Sequence, residues 1–229
     1  MTEKAFVKRL ERIFITEGFL TKKEVGAGYG VADLVLIRKE KLNVRHCTIR
    51  RDYGQFIRLL REEYFKILSY LPEKDSGEDS VSLDYLAGKT HLSKSFLKYN
   101  ILRILEKNKY IKKEKGNLYF KINSWMPIAD EVIAIEAKIR DWKRGFIQAN
   151  RYKFFADKVY LAVPPEVAHL VDKKLLERHN VGLIILNMQV GEKKITLPCK
   201  LKEPLNNYKR NLAMEFFWGR QLLKEIALL

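Results

Sequence analysis

The stretch "EVIAIEAKIRDWKRGFIQANRY", residues 131–152, decides how the chain is read. Its first part is an apolar run of strand character, and its second part has the charge spacing of a helix. The run ends on Glu136 and Lys138. Side chains at i and i+2 of a strand share a face, so the two project together at the strand's C-terminal end. Buried charges cost free energy unless they are paired or bind something. Glu136 and Lys138 are therefore either a plain ion pair or groups held for chemistry. The spacing alone does not choose, because the same Glu-x-Lys pattern recurs at Glu192/Lys194, inside the charged turn "GEKK".

Outward from this stretch, the pattern predicts α/β architecture with a mixed central sheet flanked by helices. Before it, "EKAFVKRLERIFITEGF" has apolar residues at helical spacing, at Phe6, Leu10, Ile13, Phe14 and Phe19. "GAGYG" (26–30) reads as a glycine-rich turn between two strands, and the second of these, "VADLVLI" (31–37), carries one acid, Asp33. After it come the strand "VYLAV", one helix over "PPEVAHLVDKKLLERHN", the strand "VGLIILN", an edge strand "KKITLP" and one closing helix over 206–229. Alternating strands and helices imply a largely parallel or mixed sheet with helices on its faces.

Residues 43–125 have a different character. "YGQFIRLLREEYFKILSYL" reads as one amphipathic helix, "PEKDSGEDS" (72–80) as a polar loop, "VSLDYLAGKT" and "LSKSFLKYNILRILEKNKY" as two helices. "YIKKEKGNLYFKI" then gives two short strands around a Lys115-Gly116-Asn117 tip. This is the element order of a winged helix-turn-helix. We expect a discontinuous α/β core, 1–42 with 126–229, interrupted by this domain over 43–125. Two consecutive domains would leave residues 1–42 as an isolated hairpin, which is marginal alone.

The chain of 229 residues carries 44 Lys/Arg against 28 Asp/Glu, a formal charge of +16. That balance favours a polyanion, and nucleic acid first. The charge is clustered: residues 85–125 hold ten Lys/Arg against two Asp/Glu. Lys94, Lys98, Asn100, Lys112, Lys113 and Lys115 fall on the expected recognition helix and wing, the parts that meet the major groove and the backbone. Arg144 lies on the helix after Glu136, on a face that contacts phosphate or is simply solvated. The alternative for the inserted domain is protein contact. Two cysteines, Cys47 and Cys199, give neither a disulfide framework nor a four-ligand zinc site. No apolar run reaches the ~20 residues of a membrane span, and the N-terminus lacks a signal-peptide pattern, so a cytoplasmic protein is expected.

With Asp33 added, an aspartate, a glutamate and a lysine converge if the two strands are neighbours. Paired carboxylates repel unless a cation lies between them, and oxygen donors with water favour Mg²⁺ or Mn²⁺. The layout resembles the PD-(D/E)xK superfamily of restriction-endonuclease-like nucleases. The resemblance covers the first helix, "GYGVADLVLI", "IEAK" and the helix that follows. It implies Asp33 and Glu136 as metal ligands, with the Ala137 carbonyl as a third, and Lys138 as the catalytic lysine. It also implies roles for the Gln148/Tyr152 pair on the next helix and for a glutamate on the first helix, best matched by Glu11. The expected activity is hydrolysis of phosphodiester bonds in double-stranded or branched DNA, by a homodimer where both strands are cut. Ala32 stands where the motif usually has proline, and the gap between Asp33 and Glu136 is long because of the insertion. The superfamily includes members without catalysis, so a DNA-binding or regulatory protein is the alternative, and an RNA-processing nuclease a third.

Overall fold

The computed structural model describes residues 2–73 and 79–228; within the 72–80 loop reading, residues 74–78 lie outside the described residues. The chain divides into two compact units, 1–42 with 129–217, and 43–128 with 218–229.

The first unit begins with α1 (Glu3–Thr16), capped by the Thr2 side chain, which accepts from the Ala5 N–H. Its stripe of Phe6, Val7, Leu10 and Phe14 is buried. Strands β1 (Phe19–Gly28) and β2 (Gly30–Arg38) form the antiparallel hairpin expected around "GAGYG", with Gly28 paired to Gly30 and Tyr29 at the tip.

In the second unit, α2 (Val44–Asp52) and α3 (Glu62–Tyr70) are separate helices. The single helix read over 53–71 is thus shortened to its second half. The chain between them is held open by Asn108, whose side chain accepts from the Ile57 N–H and donates to the Ile57 carbonyl. A short strand β3 (Val81–Ser82), read as the start of a helix, precedes α4 (Leu83–Thr90). Ser82 ends the strand and caps the helix by accepting from the Tyr85 N–H. Next come α5 (Lys94–Phe96), a π-helical turn over Leu97–Leu102, and α6 (Arg103–Lys107), continuous in the chain. Strands β4 (Ile111–Glu114) and β5 (Leu118–Lys121) turn at 115–117 and pair in the order β3-β5-β4. Leu68, Leu86, Leu97, Ile101, Leu105 and Tyr119 are buried.

The first unit resumes with β6 (Ile133–Ala137), α7 (Trp142–Arg151), a 3₁₀ turn at Tyr152–Phe154, and β7 (Lys158–Val163). The helix read over 164–180 is broken into α8 (Pro165–Ala168) and α9 (Lys173–Arg178). Asp172 starts the second helix by accepting from the Leu175 N–H, so the intervening residues leave helical geometry. β8 (Gly182–Asn187), the edge strand β9 (Glu192–Leu197) and α10 (Asn207–Glu215) complete this unit.

The six-stranded sheet has the order β1-β2-β6-β7-β8-β9. β6 pairs antiparallel with β2 and parallel with β7; β8 is parallel to β7 and antiparallel to β9. It is a mixed sheet flanked by helices, with every residue of β6 buried. α7 lies close on it: a Cβ at Gly145 would come within 2.6 Å of Lys138 Cγ and 2.7 Å of Leu161 Cδ1.

The closing helix expected over 206–229 is two helices, and the second, α11 (Arg220–Glu225), belongs to the second unit. The reason is Trp218. Its buried indole N–H needs an acceptor and donates to the Gln55 carbonyl at 2.7 Å, while the Arg50 guanidinium lies 4.1 Å from its ring centroid. Gly219, at φ +135°, supplies the backbone break that side-chain-bearing residues resist. The core expected over 126–229 therefore gives up its last residues to the inserted unit.

Candidate active site

The site lies where β2 and β6 end together. The last pair in their register is Leu34↔Ile135, which places Asp33 one step on, alongside Glu136. Asp33 Oδ2 accepts from the Ala137 N–H at 2.8 Å, so the acid takes over the ladder where the strands part. Glu136 is 1 % exposed and Lys138 9 %. The Lys138 ammonium sits 2.7 Å from Glu136 Oε1 and 3.2 Å from the Ala137 carbonyl. The other Glu136 oxygen, Oε2, accepts from the Tyr152 hydroxyl, which also lies 2.8 Å from the Val31 carbonyl. Four of the expected residues, Asp33, Glu136, Lys138 and Tyr152, are thus brought together, with Ala137 between them.

Gln148 stands one helical turn before Tyr152, and its Oε1 is buried without a hydrogen-bond partner among the described residues. Glu11 is engaged elsewhere: it pairs with Lys23 at 2.9 Å and accepts from the Thr21 hydroxyl at 3.2 Å. The glutamate of α1 that approaches the site is Glu3, whose Oε2 is 3.5 Å from Lys138 Nζ. The sequence singled out Glu11 and not Glu3; the seating of α1 is what brings Glu3 to Lys138 and Glu11 to Lys23. Glu24 is a second acid that the sequence did not single out. It adopts a left-handed backbone (φ +52°) beside a register slip in β1. With Glu3, Lys4, Lys8, Lys23 and Asp33 it lines a cleft of about 410 Å³.

Electrostatics follow from this crowding. Burial pushes the Asp33 carboxyl above its usual range; the Ala137 N–H and Lys138 oppose the rise, and Glu3 and Glu24 add to it. Burial likewise raises Glu136, against the hydrogen bonds from Lys138 and Tyr152. Burial alone would lower Lys138, but the Glu136, Asp33 and Glu3 charges outweigh it and its pKa rises. Burial and the Glu136 carboxylate raise Tyr152, so its hydroxyl keeps its proton.

Among the described residues, no group of three or more His, Cys, Asp or Glu is gathered closely enough to hold a metal ion. The donors present at the strand ends are all oxygens: two carboxylates and a backbone carbonyl. That set suits a hard cation that keeps several waters, as Mg²⁺ does when one or two carboxylates hold it.

Of the residues expected to meet DNA, Lys94, Lys98, Asn100, Lys112, Lys113 and Lys115 belong to the second unit and Arg144 to the first. Lys98, Asn100, Lys112, Lys113 and Lys115 are exposed. Lys94 is exposed and paired with Asp84. Arg144 is exposed on α7, where its backbone N–H is capped by Asp141. No described helix is long and apolar enough to cross a membrane. No protein-family model, curated protein or solved structure matches the chain.

Proposed function

We propose that the chain is a metal-dependent nuclease acting on DNA. It would combine a restriction-endonuclease-like core with an inserted winged helix-turn-helix that engages the duplex. The observation that carries this reading is the convergence of Asp33, Glu136, Lys138 and Tyr152 at one end of the sheet. In the second unit, the three-stranded sheet, the helix over 94–107 and the exposed lysines of β4 support the winged-helix part of it.

Asp33 and Glu136, with the Ala137 carbonyl, would hold Mg²⁺ or Mn²⁺. When bound, the ion polarises a phosphoryl oxygen and lowers the pKa of water. Lys138 would offset charge that develops on the phosphoryl group in the transition state and orient water. Tyr152 fixes the Glu136 carboxylate by donating to it. Gly145 lets α7 approach closely enough to hold the lysine stem.

A second reading is favoured by one observation: both Glu136 oxygens are already satisfied, by Lys138 and Tyr152. A chain in which this is a structural ion pair would be a DNA-binding or regulatory protein without catalysis. The deciding experiment incubates the purified protein with linear, branched and single-stranded DNA in Mg²⁺, Mn²⁺ or chelator. Cleavage that needs metal and disappears in Asp33→Asn, Glu136→Gln and Lys138→Ala, with DNA binding retained, supports the nuclease. No cleavage of any DNA form, together with metal-independent stability, rejects it for the second reading.

A further inference from the structure

The β1–β2 tip carries a tyrosine that the fold leaves in water. Tyr29 is 59 % exposed, and Val31 54 %, on either side of Gly30. An aromatic at a glycine-rich tip is not being used to fill the core. It is nevertheless held in place. The Phe154 ring meets it edge-on at a centroid distance of 4.7 Å, and the Lys209 ammonium lies 4.6 Å from its ring centroid. The tip backbone runs close to the same groups: a Cβ at Gly28 would lie 3.5 Å from Phe155, 3.6 Å from Lys209 and 3.8 Å from Phe154, and one at Gly30 would lie 3.7 Å from the Tyr152 ring.

The tip is continuous with the candidate site. Val31 and Asp33 share a face of β2, on either side of the fully buried Ala32. The Val31 carbonyl meets the Tyr152 hydroxyl that also holds Glu136. Tyr29 and Asp33 are four residues apart, at most roughly 13 Å of extended chain, a span of a few nucleotides along one strand. Positive charge accompanies it: Lys209 over the ring, and the exposed Arg151 close enough for its charge to act on Tyr152.

An exposed, braced aromatic beside basic side chains is the arrangement on which an unpaired nucleobase stacks while its phosphates are neutralised. The interior base pairs of an intact duplex cannot use it, because their faces are covered by their neighbours. We infer that Tyr29 is a base-stacking platform, and that the nucleic acid taken at this end of the sheet has an unpaired base a few nucleotides from the bond presented to Asp33 and Glu136. Single-stranded, flapped and branched DNA share that feature. The inference rests on the nuclease reading for the identity of the site, and on Tyr29, Phe154 and Lys209 for the stacking.

The test is binding in chelator, where nothing is cut. The probes are a single-stranded oligonucleotide carrying 2-aminopurine and a blunt duplex of the same sequence. Tyr29→Ala is expected to weaken single-strand binding by about 5- to 150-fold, from a stacking worth of roughly 1–3 kcal/mol per base. It should also abolish the 2-aminopurine quench, and leave duplex affinity unchanged. Tyr29→Phe and Tyr29→Trp should retain both. Equal single-strand affinity in wild type and Tyr29→Ala overturns the proposal, and so does an equal loss for single strand and duplex. Tyr29-dependent binding by a protein that cuts nothing in Mg²⁺ or Mn²⁺ keeps the platform and sinks the nuclease reading. Metal-dependent cutting with Tyr29-independent binding does the reverse.

Discussion

Two strands of one sheet carry the same tripeptide pattern with opposite results. Glu136 and Lys138 belong to the end of β6, which is flanked by strands on both sides; Glu192 and Lys194 lie on β9, at the edge. The first pair is buried, 2.7 Å apart, and shares its surroundings with Asp33 and Tyr152. Glu192 and Lys194 are exposed. A side-chain pattern thus specifies which groups point together, and strand position decides whether water or protein screens them. In the interior, each unsatisfied charge costs several kcal/mol and must find partners. At the edge, solvent relieves the requirement and the pair carries no obligation.

The comparison breaks most visibly in activity. Glu136→Gln should lower metal-dependent DNA cleavage at least 100-fold, since the charge that holds the ion is lost, while Glu192→Gln leaves the rate unchanged. Equal rates in the two variants would remove Glu136 from the chemistry. Stability sharpens it next. Lys138→Met strands the Glu136 carboxylate and should cost about 3–5 kcal/mol in denaturant unfolding. Lys194→Met should stay within about 0.5 kcal/mol of wild type. A harmless Lys138→Met would show that the burial of this pair imposes no debt on the fold. Tyr152→Phe removes one donor and leaves a buried carboxylate oxygen unsatisfied, for a loss of about 1–3 kcal/mol. A Tm equal to wild type would mean that Tyr152 does not hold Glu136. The smallest effect belongs to Glu11→Gln. Its partner Lys23 is about half exposed, so melting should move by less than about 1 kcal/mol equivalent, and cleavage not at all. A large loss of cleavage in Glu11→Gln, with none in Glu3→Gln, would support the assignment of Glu11 made from the sequence.

What the sequence revealed, and what it hid, divides along the same physical line. The β1–β2 hairpin, β6 and α7 are legible because glycine punctuation and apolar runs are local signals. The convergence of Asp33 with Glu136 was legible only on the condition that β2 and β6 are neighbours, and they are. Glu3 was hidden because α1 offers acids at several turns. The turn that meets the strand ends is set by long-range contacts such as Glu11 with Lys23. Glu24 was hidden because nothing in the neighbouring residues announces the left-handed backbone it adopts. The breaks at 169–172 and 218–219 were missed for a related reason: apolar spacing continues through both, and the capping Asp172 and the buried Trp218 decide against it.

The π-helical turn at Leu97–Leu102 has a consequence for engineering. A π turn is an α-helix with one residue too many, so the stretches on either side are out of phase by about 100° relative to an uninterrupted helix. Removing a single residue there would be a repair for the backbone and a rotation for everything it displays. Lys94 would turn by more than a quarter circle relative to Arg103, while the fold beneath kept its buried leucines on one side or the other, not both. A one-codon deletion scan across 97–102 therefore works as a dial on helix phase: it reads out how much of this helix's behaviour depends on which way its surface faces, without changing the identity of any retained side chain.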